Sequence, residues 1–74
     1  MSYDDLTNSE RFIFEWQYRM LGDFKMALIE AICQADINNL EKLRLGFPDE
    51  VDGYINYSQT EGWWPEVERR GESR

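Results

Sequence analysis

TNSERFIFEWQYRMLG, residues 7–22, is the stretch on which the fold turns. Thr7 and Glu10 have the spacing of a capping box, in which the Thr oxygen meets one free backbone N–H and the Glu carboxylate reaches back to another. A helix is therefore expected from about Asn8 to Leu21, stopped by Gly22 as a left-handed cap. Along it, Phe12, Ile13, Trp16 and Met20 fall on one side, and Phe14, Tyr18 and Leu21 on nearly the opposite side. A surface helix normally carries one apolar stripe. Two stripes imply a helix held between layers, either inside the monomer or between the monomer and a partner.

Working outward, glycine and proline divide the chain into further pieces of helical length. Asp23 is placed to start a second helix through Ala35, and Asp36 to cap a third through Leu45, ended by Gly46. Pro48, with Asp49 and Glu50 in a first turn, opens a fourth that ends near Gln59. Pro65 to Arg70 adds at most one more turn. The expected fold is all-α, a compact single-domain bundle of about four short helices over residues 7–68. A loose leader (1–6) precedes it and a fraying tail (69–74) follows it. The second helix combines a broad face of Phe24, Ala27, Leu28, Ala31, Ile32 and Ala35 with a second patch of Met26, Ile29 and Cys33, a pattern that implies burial. Burying both sides of two helices is hard in so small a bundle. A homodimer or a docking surface for another protein follows.

Composition narrows the function. The chain has 74 residues, one cysteine and no histidine. No internal disulfide is available and the common zinc ligand sets cannot be assembled. Aromatics are 15% of the residues, enough for dense packing to take the place of such staples. Acids outnumber bases 15 to 8, for a net charge of −7. Such a surface repels nucleic acid and anionic membranes and favours basic partners or plain solubility. With no membrane-length apolar run and a single free cysteine, the expected location is cytoplasmic.

Catalysis is disfavoured. Without histidine, the commonest general base and the usual partner of a Ser or Cys nucleophile are missing. Cys33, in an apolar helical setting, is expected to be a small buried hydrophobe. Asp49, Glu50 and Asp52 cluster after Pro48 and could hold a hard cation, but acids also favour the positive end of a helix dipole, and the calcium-loop spacing is absent. No metal and no cofactor is expected. Arg11, Glu15 and Arg19 step by four and are expected to form a solvated ion-pair ladder. Aromatics interleaved with acids argue against direct nucleic-acid binding. The inverse, an acidic mimic that occupies a nucleic-acid-binding enzyme such as a defence nuclease, is the alternative function.

FEWQYRMLGDF (14–24), GFPDEVDGY (46–54) and GWW (62–64) together resemble small acidic proteins carried by bacteriophages and mobile elements of gut and Gram-positive bacteria. The resemblance implies a short intracellular protein that acts by binding a host or phage protein, inhibitors of bacterial defence systems being one class built this way. It brings no activity and no site residue with it.

The expected function is thus a non-enzymatic protein-interaction module with a protein partner. Taking Phe12, Trp16 and Met20 inward leaves Phe14, Tyr18 and Leu21 as the docking stripe; the reverse assignment of the faces is also open. Near the C-terminus, Pro65 favours an extended Trp64, and adjacent residues of an extended segment point opposite ways. Trp63 is then expected to staple the core, and Trp64 to lie near the surface as a further contact.

Overall fold

A computed structural model describes residues 3–72. A 3₁₀ turn at Tyr3–Asp5 precedes five helices: α1 (Asn8–Gln17), α2 (Asp23–Gln34), α3 (Ile37–Gly46), α4 (Pro48–Gln59) and α5 (Trp63–Glu72). No strand occurs among the described residues, and none of the helices is long and apolar enough to cross a membrane.

The caps read from the sequence form. Thr7 accepts from the Glu10 N–H and Glu10 accepts from the Thr7 N–H at 2.9 Å, which closes the capping box. Asp36 accepts from the Asn39 N–H at 2.8 Å and starts α3. Pro48, Asp49 and Glu50 occupy the first turn of α4.

The end of α1 departs from expectation. The helix stops at Gln17, and the left-handed residue is Arg19, with φ 57°, while Gly22 is extended and caps α2. Met20 donates to the Glu15 carbonyl at 2.7 Å and Arg19 to the Trp16 carbonyl at 3.1 Å. These are the paired bonds of a Schellman turn, which satisfies the last carbonyls of the helix. The early stop turns Leu21 back against the main core and leaves Met20 57% exposed, so the inward assignment holds for Phe12, Ile13 and Trp16 only.

The chain itself covers both faces of α1. Phe12 and Ile13 join Leu28, Ile29, Ile32 and Val51 in the main cluster, and Phe14 joins Leu6 and Val67 in a second. Two glycines permit this. A Cβ on Gly53 of α4 would lie 2.7 Å from the Ser9 carbonyl oxygen and 3.1 Å from Ile13 Cγ1. A Cβ on Gly71 of α5 would collide with the Phe14 ring. Both helices approach α1 where only a hydrogen fits.

Further differences follow from α5. Residues 69–72 are helical, and Leu6 in the leader is 5% exposed, because Phe14 and Val67 offer it a pocket. The expected loose ends at residues 1–2 and 73–74 lie outside the described residues. The second helix is not buried all round: Leu28, Ile29 and Ile32 face the core, whereas Phe24, Ala27, Ala31 and Cys33 are exposed. Ile37, in the first turn of α3, is 75% exposed.

Two substitutions test these backbone features. Gly53→Ala adds a methyl group against a fixed carbonyl, and this outweighs the better helix propensity of Ala, for an expected net loss of about 1–2 kcal/mol. Arg19→Gly relieves the left-handed conformation and is expected to raise stability by about 0.5–1 kcal/mol. Urea unfolding monitored by circular dichroism measures both.

Candidate functional site

The residues expected to form a docking stripe are mostly in use inside the molecule. Phe14 is 6% exposed, with the Tyr18 ring stacked on it at 4.3 Å and 8°. Tyr18 is 38% exposed, and its hydroxyl donates to Glu68 at 3.1 Å and also to Glu72, so it ties α1 to α5. Leu21 packs against the main cluster. Trp64 is half-buried, with its ring 6.3 Å from Phe14 and 5.9 Å edge-on to Tyr57. Tyr57 in turn meets Trp16 at 5.3 Å. This run of rings wraps one side of α1 and joins the two clusters.

The division of labour expected of the tryptophans does not occur. Trp63 and Trp64 are both half-buried and both pack against both clusters. The reason is that α5 starts at Trp63, after Gly62 with φ 83°, so the two rings project from a helical turn rather than a strand. Pro65 falls in that first turn, where its missing N–H leaves no intrahelical bond unmade.

Arg70 and Glu10 make the other long-range tie. The two side chains are 16% and 13% exposed, and the guanidinium donates to both carboxylate oxygens, the longer bond being 3.3 Å. Burial alone disfavours charge on Glu10, but the Arg70 guanidinium and the Thr7 amide outweigh it and hold the carboxyl below its ordinary value. Elsewhere on α1 the expected ion-pair ladder is replaced by contacts to Tyr3. The Arg11 guanidinium lies 5.3 Å from the Tyr3 ring centre, and Glu15 accepts from the Tyr3 hydroxyl. Burial and that hydrogen bond push the Tyr3 phenol up to about 12.

The acids after Pro48 are drawn into contacts with other helices. Asp49 accepts from Asn8, and Asp52 pairs with Arg44 at 2.6 Å, tying α4 to α1 and α3. Among the described residues no three Cys, Asp or Glu side chains converge as metal ligands. A polar cavity of about 360 Å³ beside α1 and the start of α4 is lined by Arg11, Glu15, Lys25, Asp49 and Glu50, a mixed-charge set. Cys33 is exposed rather than buried, near the C-terminal end of α2 beside Tyr54.

The apolar surface left without cover is on α2 and α3. Phe24 is 66% exposed with one ring neighbour, Phe47, at 6.0 Å, and Leu45 is 88% exposed. Beside the outward stripe of α2 an open groove of about 460 Å³ runs between Ala31, Gln34 and Ala35 on one side and Asn39, Lys42 and Leu43 on the other. Charge follows the same division. Residues 23–46 hold Asp23, Glu30, Asp36 and Glu41 against Lys25, Lys42 and Arg44, a net of −1; residues 3–22 and 47–72 hold eleven acids against four bases, a net of −7. The sequence did carry this signal, since Phe24, Ala27, Ala31 and Ala35 recur at helical spacing, but the same stripe reads equally well as core.

Comparison with known protein families, curated proteins and solved structures finds no match.

Arg70→Met is expected to cost about 1–3 kcal/mol at neutral pH. Glu10 has its folded pKa below the unfolded one, so the pair's contribution is complete above the ordinary carboxyl value of 4.5 and is lost as pH falls through the lower folded value. Melting temperature against pH should therefore fall less steeply on the acid side in Arg70→Met than in the wild type. Trp64→Ala, which opens both clusters, is expected to cost about 2–3 kcal/mol in urea unfolding.

Proposed function

We propose that this protein is a non-enzymatic protein-binding module that docks a partner through the outward face of α2 and the groove beside it. One observation carries the reading. Phe24 stands 66% exposed at the head of an apolar stripe whose only ring neighbour among the described residues is Phe47, in a chain that finds cover for Phe12, Ile13 and Phe14. Exposed aromatics next to a groove are what an interaction surface offers, since they gain most when a partner removes them from water. The face carries little net charge, which suits apolar docking rather than electrostatic capture. The absence of histidine from the sequence supports the non-enzymatic part. The resemblance of residues 14–24, 46–54 and 62–64 to small phage proteins supports a setting in which a short chain acts by binding.

A second reading is favoured by the charge division: the net of −7 over residues 3–22 and 47–72 supports an acidic mimic that occupies a nucleic-acid-binding protein. Salt and mutation separate the two. Wild type, Phe24→Asp and Tyr18→Ala are immobilised and used to capture binding proteins from bacterial lysate between about 0.1 and 1 M salt. Docking through α2 predicts a captured protein that survives high salt and the Tyr18 change but is lost with Phe24→Asp. Capture that dissolves with salt and ignores Phe24→Asp contradicts it in favour of the mimic.

A further inference from the structure

We infer that the occupant of the α2 face is a second copy of this chain, joined in an isologous dimer in which Phe24 of each copy enters the groove of the other. The inference rests on the reading of that face as a docking surface and names its partner.

The first argument is self-complementarity. Phe24, Ala31 and Ala35 lie at i, i+7 and i+11, one line along α2. At the Phe24 end the line carries a projecting aromatic against Phe47, and at the Ala31 to Ala35 end it borders the open groove of about 460 Å³. Knob and hole are thus on the same strip of surface, seven residues or about 10 Å apart along the axis. A two-fold axis through the strip at Ala27, midway between them, sets each Phe24 over the other copy's Ala31. Ala27 is exposed, and its small side chain lets two α2 helices cross closely there.

The second argument is charge. The described residues outside 23–46 together carry a net of −7, whereas residues 23–46 carry only −1. Self-association through this face therefore keeps the more acidic part of each copy away from the other. The same balance argues against a basic protein as the occupant, because such a partner is drawn to the acidic part of the molecule.

The test is sedimentation velocity across concentration for wild type, Phe24→Asp and Ala31→Trp. Neither substitution disturbs the core: Phe24 lies in the first turn of α2, where an acid is favourable, and Ala31 is exposed. Circular dichroism and melting confirm that both variants fold. Phe24→Asp removes the knob and Ala31→Trp fills the hole, so each should weaken the dimer at least about thirtyfold. Mixing the two restores one intact knob-and-hole site per heterodimer, so the mixture should associate more tightly than either variant alone. A wild type that is monomeric at about 1 mM overturns the inference. So does a dimer untouched by both changes, or a mixture that shows no rescue. A monomer that still captures a foreign protein in a Phe24-dependent way overturns only the dimer and leaves the docking reading standing. A monomer without such capture removes both.

Discussion

The fold depends on α1 being buried on two sides at once. Ile13 faces Gly53 of α4, and Phe14 faces Gly71 of α5; each glycine lets a helix backbone come close enough to exclude water from a large apolar side chain. A chain of this size has only a few helices to spend on cover, and it places two of them around one. The long-range ties serve the same end. Arg70 to Glu10 and Tyr18 to Glu68 hold α5 along α1, and the rings of Trp16, Tyr57 and Trp64 close the side between the two clusters.

That arrangement decides what is left for function. With α4 and α5 committed to α1, α2 buries one side only, through Leu28, Ile29 and Ile32, and leaves Phe24, Ala27 and Ala31 exposed, with Phe47 alone against the edge of Phe24 among the described rings. The exposed apolar strip is thus a consequence of where the cover was used. Charge division reinforces it, since the acidic residues concentrate on the elements around α1 and leave the α2 and α3 side close to neutral. Association through that side avoids the repulsion that any other approach of like molecules would meet.

Local chemistry was legible in the sequence, and long-range partnership was not. The capping box at Thr7 and Glu10, the Asp36 cap and the Pro48 start depend on residues within one turn of each other, and each formed as read. The two stripes on α1 correctly required two layers of cover, but the pattern could not say that the second layer was α5. Its start at Trp63-Trp64-Pro65 reads as extended in isolation, because the strain that Pro65 places on Trp64 is visible locally, whereas the packing of the Trp64 ring on Phe14 and Tyr57 is not. Tyr18 and Phe14 looked like an interface for the same reason: the α5 residues that meet them, Glu68 and Val67, lie 50 residues or more away along the chain. The end of α1 was misplaced because Gly22 is the residue that most easily turns left-handed, yet the Schellman bonds formed at Arg19.

Native-state hydrogen exchange with increasing denaturant tests the central claim most directly. If α5 is an integral layer over Phe14, the amides of Val67 to Arg70 open with the same free energy as those of Ile13 to Trp16, in one cooperative unit. Amides of α5 that exchange far faster than those of α1, with no dependence on global unfolding, would contradict the account and leave the Phe14 stripe free for a partner.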